Sequence, residues 1–312
     1  METTYLTYPH DLNKDDLAES VAAIGFFDGV HKGHQKVINR ALKYAKENDV
    51  KCKVITFHPH PSVVLNSPNK TVQYITPLSE KVKLLKEMGV EQVYVIKFNK
   101  ELSLVEPKDF IDHFIVGLNI IHLVAGFDYS YGHKGKGNMS NIEEDAQNRF
   151  TFEAIHKVEH NEEKISSTKI RNLLAEGKIK EASNLLGRPF SFEGKVVDGD
   201  KRGRLLGYPT ANIETEEKYL LPRQGIYAVR VHLRDKVFYG MANLGLVPTF
   251  IKDMKEPKVE VYIFDFNQDV YGEIIKIDWL EFIRNEEKYS GAEEMKAQLV
   301  DDEIAVRKVL NI

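Results

Sequence analysis

The chain has 312 residues, of which 42% are apolar and 29% charged, and a net charge of −4. That is ordinary globular composition with room for two domains of ~100–200 residues each, and its slight acidity gives no electrostatic case for nonspecific nucleic-acid binding. Cys52 is the only cysteine, which excludes a disulfide framework and a cysteine-built zinc site. No basic segment followed by an apolar stretch opens the chain, and no apolar run reaches ~18 residues, so neither a signal peptide nor a membrane span is expected. The cytoplasm is the expected compartment.

Val21-Ala22-Ala23-Ile24 reads as a buried strand, and a helical pattern begins near Gln35, with Val37, Ile38, Ala41 and Leu42 at helix spacing. Between them stands Gly25-Phe26-Phe27-Asp28-Gly29-Val30-His31-Lys32-Gly33-His34. Gly29 and Gly33 let the backbone turn tightly and approach a ligand. The start of a helix carries unpaired N–H groups and partial positive charge, which suits phosphate. His31 and His34 would add side-chain donors there. No G-K-[ST] follows, so this is not a P-loop; the competing reading is a turn with two exposed histidines.

A β-branched strand at 53–57 stops at His58-Pro59-His60-Pro61, where the prolines force an extended turn. A stiff loop would explain that segment without function. Residues 79–88 read as a helix, with Val82, Leu84, Leu85 and Met88 as its apolar face and Gly89 as its stop. A strand at 93–96, a helix at 107–115 with Pro107 in its first turn, and a strand at 121–125 follow. This alternation predicts a parallel sheet with helices on both faces. Ligands sit at the carboxyl ends of such strands, so Gly126-Phe127-Asp128-Tyr129-Ser130-Tyr131-Gly132 is a site candidate. The basic, glycine-rich loop at 133–137 could wrap an anion or simply be solvated. A helix at 142–148 and a strand at 150–155 come next. Ser166-Ser167-Thr168 ahead of Ile170, Leu173 and Leu174 is a helix-cap signal, and an N-cap region is also an anion site. After one more short helix at 179–186, Gly187-Arg188-Pro189 breaks the pattern. The expected domains are therefore 1–186 and 187–312.

Beyond 187 strand-like runs dominate, at 192–197, 225–231, 237–240, 259–266 and 273–279, with turns rich in Gly, Asp and Asn. They predict an antiparallel barrel, closed by a terminal helix at 293–309. The stretch from Gly199 to Asn212 has glycines whose amides can line a loop, positive charge from Lys201, Arg202 and Arg204, and hard oxygen donors in Thr210 and Asn212 that suit magnesium. A solvated basic hairpin is the alternative. Glu260 is a charged residue in an apolar alternating strand. It reads as a base or positioning group for a hydroxyl, or as an outward-facing solvated carboxylate.

These stretches resemble one family. Residues 25–34 look like the H-x-G-H signature of nucleotidylyltransferases, in the F-D-G-V-H form of bacterial bifunctional riboflavin kinase/FAD synthetases. Phe57, Pro59, His60 and Pro61 match the family's F-x-P-H-P loop at the mouth of its nucleotidyl-transfer site. Residues 126–132 are similar to its G-x-[DN]-F-x-F-G segment, with Tyr at two aromatic positions and Asp128 where some members have Asn. Ser167, Thr168 and Arg171 match S-S-T-x-I-R, and residues 203–212 match the riboflavin kinase signature G-x-x-x-G-x-P-T-A-N. Asn243-Leu244-Gly245 with Pro248-Thr249-Phe250 resembles N-x-G-x-x-P-T-F, Val247 departing from the basic residue of some members. Glu260 matches the family's catalytic carboxylate ahead of a D-x-x-x-D-x-Y-G turn, here Asp265, Asp269, Tyr271 and Gly272. Phe282-Ile283-Arg284 resembles its F-[IL]-R segment.

The resemblance is collinear over the whole chain. It implies an α/β nucleotidylyltransferase domain with a Rossmann-like parallel sheet, then an antiparallel β-barrel riboflavin kinase domain with a C-terminal helix. It implies ATP-dependent phosphorylation of riboflavin to FMN, with ADP released, and adenylylation of FMN to FAD, with pyrophosphate released. The implied catalytic residues are Glu260, His31, His34 and Arg171. ATP and phosphate would be held by Gly25, Phe27, Asp28, Gly29, Gly33, Ser167 and Thr168, and by Gly199, Lys201, Gly203, Arg204, Gly207 and Pro209. Flavin would meet Phe57, Pro59, His60, Pro61, Asp128, Asn243 and Arg284, and Thr210 and Asn212 would hold Mg2+. The implied partners are small molecules, with no nucleic acid and no membrane; homo-oligomerisation is left open. Three alternatives stay open: one live half only, another H-x-G-H nucleotidylyltransferase such as a pantetheine-phosphate or nicotinate-mononucleotide enzyme, and a flavin-binding regulatory protein without catalysis. The Pro-Thr-Ala-Asn stretch speaks against the second, and Glu260 with His31 and His34 against the third.

Overall fold

The computed structural model describes residues 1–65, 72–160, 163–199, 203, 206–248 and 255–312. Packing divides the chain into two units, Met1–Ser167 and Thr168–Ile312.

The first unit alternates strands and helices as the sequence predicts. Its elements are β1 (Glu2–Leu6), β2 (Ser20–Ile24), α1 (Lys32–Glu47), β3 (Lys51–His58), α2 (Pro61–Leu65), α3 (Leu78–Glu87), β4 (Gln92–Lys97), α4 (Pro107–Ile111) and β5 (Ile120–Gly126). Then come β6 (Ser130–Tyr131), β7 (Gly137–Asn138), α5 (Ile142–Ala146), β8 (Thr151–Ile155), β9 (Glu159–His160) and β10 (Glu163–Lys164). Strands β1, β4, β3, β2, β5 and β8 lie side by side in that order, all parallel. The order reverses between β2 and β5, and such a switch point leaves a crevice outside the carboxyl ends of the strands. All of β2 is buried, as a strand covered on both faces requires. Ala22 and Ile24 enter one core with Ile55, Tyr94 and Phe114, while Val21 and Ala23 enter the other with Val37, Ile38 and Leu85. The helix expected at 107–115 is α4 continued by a π-helical turn, Asp112–Val116.

The second unit holds α6 (Ser167–Ala175, which begins on the last residue of the first unit), α7 (Ile179–Leu186), β11 (Phe190–Val197), β12 (Ala211–Glu214), β13 (Gly225–Leu233), β14 (Lys236–Pro248), β15 (Lys255–Ile263), β16 (Ile274–Arg284) and α8 (Ala292–Leu310). Its strands close an antiparallel barrel in the order β11-β12-β15-β14-β13-β16. Closure leaves no unpaired sheet edge. The interior is filled by Phe192, Tyr227 and Trp279, with Tyr227 and Phe192 rings 4.7 and 5.5 Å from the indole. The division at Ser167/Thr168 comes ahead of the 186/187 boundary expected from sequence. Packing is the reason: Arg223 N–H donates to Leu174 O at 2.9 Å and Lys180 pairs with Glu281, so α6 and α7 rest with the barrel.

Candidate active sites

At the end of β2, Gly25 N–H donates to Ile55 O at 3.1 Å. The backbone then enters the left-handed region at Phe27 (φ 54°), Gly29 (φ 89°) and Val30 (φ 40°). Glycine takes this conformation freely, whereas Phe27 and the β-branched Val30 adopt it at a cost of ~1–3 kcal/mol each. Surrounding groups hold the turn. Thr76 N–H donates to Asp28 Oδ1 (3.1 Å), Ser167 Oγ to Asp28 O (2.9 Å), Gln35 Nε2 to Val30 O (2.8 Å) and Lys81 Nζ to Phe26 O (2.7 Å).

The turn delivers His31 as the N-cap of α1, its Nδ1 accepting from His34 N–H at 3.2 Å. Because Nδ1 accepts, the neutral ring carries its proton on Nε2 and presents a donor there. The His31 and His34 rings stack with centroids 3.5 Å apart, and His34 stands edge-on to Phe27 at 5.3 Å. No acidic residue occupies the first turn of α1, so the helix's partial positive charge is not offset there.

At the end of β3, Pro59 and His60 lead into α2, which opens on Pro61 where a stiff loop was expected. His60 is edge-on to Phe26 (4.4 Å), its Nδ1 lies 2.7 Å from Ser62 Oγ, and its N–H donates to Tyr74 Oη at 3.1 Å. Phe57, expected at the flavin, is buried in the core with its ring 6.3 Å from that of Phe110. Asp128 is exposed and paired with Lys164, whose ammonium lies 4.9 Å over the Phe127 ring. Beside it, Tyr129 Oη is buried without a hydrogen-bond partner among the described residues, and burial pushes its phenol well above the usual range. In the glycine-rich loop, Lys136 is drawn to Glu106 at 3.0 Å. Ser167 reaches the turn directly, while Thr168 and Arg171 follow it on α6 and belong by packing to the second unit.

In the barrel, Asn212 of β12, Glu260 of β15 and Asn243 of β14 stand opposite one another across adjacent strands. Val259, Val261 and Ile263 are buried on the inner side, so the half-buried Glu260 between them faces outward. Its Oε1 pairs with Lys258 Nζ at 2.8 Å, and its Oε2 accepts from Thr210 Oγ1 at 3.4 Å. Asn243 Nδ2 donates to Glu286 Oε1 at 3.4 Å. The Oδ1 atoms of Asn212 and Asn243 are both buried without a hydrogen-bond partner among the described residues. Leaving such an acceptor unsatisfied costs ~1–3 kcal/mol, so each marks a place for a ligand donor or a cation. The oxygens of Asn212 and Thr210, each next to Glu260, are of the type that fits magnesium, which takes oxygen ligands and keeps waters. Among the described residues no group of three or more His, Cys, Asp or Glu could hold a metal ion. Gly199 lies against the Asn212 amide, which a Cβ at this position would displace. Leu206 and Tyr208 N–H both donate to Gly203 O, at 3.0 and 2.8 Å, and this tight turn with Gly207 carries the chain to Pro209 and Thr210, which line a cleft of about 440 Å³. Lys201 and Arg204, like Arg202, Thr249 and Phe250, lie outside the described residues.

Arg284, expected at the flavin, joins two elements of the second unit. Its guanidinium grips Asp302 of α8 at 2.6 and 2.7 Å and Tyr289 Oη at 2.8 Å, and Asp302 is 2% exposed. A buried carboxylate needs a cation, so Arg284 fastens α8 to β16. Arg284→Met is expected to cost ~3–5 kcal/mol by stranding that carboxylate. Urea unfolding followed by the fluorescence of Trp279, the only tryptophan, measures it. A loss below ~1 kcal/mol would mean that Gln298, whose Nε2 is 3.1 Å from Asp302 Oδ1, suffices.

Sequence reasoning passed over Lys81, Lys164 and Lys258. Lys258 was legible, since it lies two residues from Glu260 and so on the same strand face.

Comparison with known proteins covers both units. The FAD synthetase family model matches residues 13–169, and the riboflavin kinase model matches residues 186–310. A bifunctional riboflavin kinase/FMN adenylyltransferase of Bacillus subtilis (strain 168) is 44% identical over 314 residues, spanning 100% of this chain and 99% of its own. The protein of the same name from Escherichia coli (strain K12) is 31% identical, over 97% of this chain and 96% of its own. The crystal structure of a macrolide-efflux protein from Streptococcus pneumoniae is similar with a TM-score of 0.86 at 34% identity, covering 98% of this chain and 99% of that one. Among the described residues no helix is long and apolar enough to cross a membrane. Matches of this length, running through the histidine turn and the barrel row alike, leave one assignment: the chain belongs to the bifunctional riboflavin kinase/FMN adenylyltransferase family.

Proposed function

We propose that this chain makes flavin cofactors in two steps, each carried by the residues its own site brings together. It phosphorylates riboflavin to FMN at the barrel and converts FMN to FAD at the histidine turn. The alignment of Glu260 between Asn212 and Asn243, whose side-chain oxygens are buried without a hydrogen-bond partner among the described residues, carries the kinase assignment.

In the kinase step the ribityl 5′-hydroxyl oxygen bonds to the γ-phosphorus of ATP. The bond from that phosphorus to the bridging oxygen breaks, ADP leaves, and Glu260 takes the hydroxyl proton. Lys258, 2.8 Å from Glu260 Oε1, fixes the carboxylate in direction. Gly199, Gly203, Gly207 and Pro209 shape the loop over the ATP phosphates, with Lys201 and Arg204 supplying charge. Asn243 meets the flavin. Thr210 and Asn212 would hold magnesium, which when bound offsets the charge of the transferring phosphoryl oxygens.

In the adenylyl step an FMN phosphate oxygen attacks the α-phosphorus of ATP, and pyrophosphate leaves. Positioning and charge stabilisation are the whole of the protein's task. The His31 Nε2–H and the His34 ring donate to the oxygens on which charge builds. Gly25, Phe27, Asp28, Gly29 and Gly33 form the turn against which the phosphates lie. Ser167, whose hydroxyl donates to Asp28 O, holds the departing pyrophosphate; Thr168 and Arg171 are the further phosphate-binding candidates of that stretch, and the functional limit of the first domain is kept at 186/187. Pro59, His60, Pro61 and Asp128 receive the flavin. Both reactions use small molecules of the cytoplasm.

Chromatography of purified protein with riboflavin, ATP and magnesium, with oxidised and dithionite-reduced flavin, tests this reading. FMN followed by FAD is expected, and excess EDTA is expected to stop both. FMN alone would remove the adenylyl half. Stoichiometric flavin binding without turnover would move the assignment to a regulatory flavin-binding protein.

A further inference from the structure

Helix α3 carries a lysine where its inner face calls for an apolar residue. Lys81 follows Leu78 by one turn and precedes Leu85 by another, and it is 2% exposed. A buried ammonium persists only where its donors are used. Lys81 Nζ donates to Phe26 O at 2.7 Å and to Thr56 Oγ1 at 3.3 Å, and lies 4.5 Å over the Phe26 ring. Thr56 Oγ1 itself donates to Phe26 O at 3.0 Å. The Phe26 carbonyl thus takes two donors from the α3 and β3 side. In a trans peptide the C=O and the following N–H point in opposite directions. Fixing the Phe26 oxygen therefore aims the Phe27 N–H away from Lys81, at the very bond where the left-handed turn begins.

We propose that Lys81 is a positioning residue for adenylyl transfer, pinning the Phe26 carbonyl so that the Phe27–Val30 turn presents its amides and His31 to the ATP phosphates, while its charge balances Asp28. The assignment rests on the adenylyltransferase reading of the first unit. Burial pulls the Lys81 ammonium down to about 8, with Asp28 opposing the shift. The other titratable groups nearby are Glu80 of α3, whose Oε2 is 3.8 Å from Lys83, and His60 and Tyr74, which pack on the Phe26 ring at 4.4 and 6.2 Å. β3 contributes the neutral Thr56. Below pH 8 the clamp is charged; as pH rises through that value its charge, and the balance it gives Asp28, is lost.

The test measures kcat and kcat/KM of FAD formation from FMN and ATP between pH 6.5 and 9.5 for the wild type, Lys81→Met and Lys81→Arg, with riboflavin phosphorylation assayed in the same samples. For the wild type, kcat/KM is expected to fall about tenfold from pH 7 to pH 9. Lys81→Met is expected to lose about 10–100-fold at pH 7, chiefly in kcat, and to show no such alkaline fall. Lys81→Arg, cationic throughout, is expected to keep most of the activity, also without the fall. Riboflavin phosphorylation should stay within about twofold in all three. Wild-type FAD formation in Lys81→Met, or the same alkaline fall in either variant, would overturn the proposal. Should circular dichroism find Lys81→Met unfolded, the comparison of wild type with Lys81→Arg decides alone. No FAD from the wild type would instead remove the reading on which the proposal rests.

Discussion

Glu260→Gln is expected to lower riboflavin phosphorylation by about 10²–10⁴-fold, the usual contribution of a positioned base, while FAD formation from supplied FMN stays within about twofold. The substitution keeps the side chain's volume and its contact with Thr210, and removes the negative charge and with it the capacity to take a proton. Lys258, partly exposed, loses its partner without being stranded in the interior. The barrel core is untouched, because Val259 and Val261 and not Glu260 point into it. Separate assays of FMN and FAD production make the comparison, and Trp279 fluorescence reports whether the barrel is intact. Loss of both activities in a folded variant would refute independent sites.

The complementary result is expected for His31→Ala combined with His34→Ala: FAD formation falls by about 10²–10³-fold or more, as when preorganised donors to a developing anion are removed, and FMN is made at the normal rate. His31 also caps α1, and loss of a cap costs ~1 kcal/mol. His31→Asn separates the two roles, since asparagine caps as well but lacks the imidazole donor at the position of Nε2. If His31→Asn restored FAD synthesis, capping would be the whole function of His31. Unchanged synthesis in the double alanine variant would take both histidines out of the mechanism.

What could be read from the sequence follows what each signal physically encodes. The β2–turn–α1 unit was legible because a continuous apolar run, glycines and helical spacing each mark a local backbone state. The edge strand β1 was not: of Glu2–Leu6 only Leu6 is buried, so no pattern distinguishes it. Helix α2 was hidden by Pro61, which stops a strand but is equally at home in the first turn of a helix. Within β15 the alternation that turns Glu260 outward is visible, but its neighbours Asn212 and Asn243 arrive by sheet register, and no spacing along the chain encodes that. Phe57 and Arg284 fit their motifs, yet a motif does not say which way a side chain points or that Asp302 waits on a distant helix. The signal for Lys81 was present at helical spacing from Leu78 and Leu85, and a lysine there reads as solvated unless burial is known.

The outward row on the barrel has one more consequence. Asn212, Glu260 and Asn243 share their strands with Ile213, Val259, Val261, Ala242 and Leu244, which are buried. Chemistry and cohesion thus occupy opposite sides of the same ribbons. A change of Glu260, which is half-buried, opens no void in the barrel core and breaks no backbone ladder, so its effect on rate can be large while its effect on folding is small. At that position the barrel can be retuned for another acceptor hydroxyl, the variant still assembling before it has become good at anything.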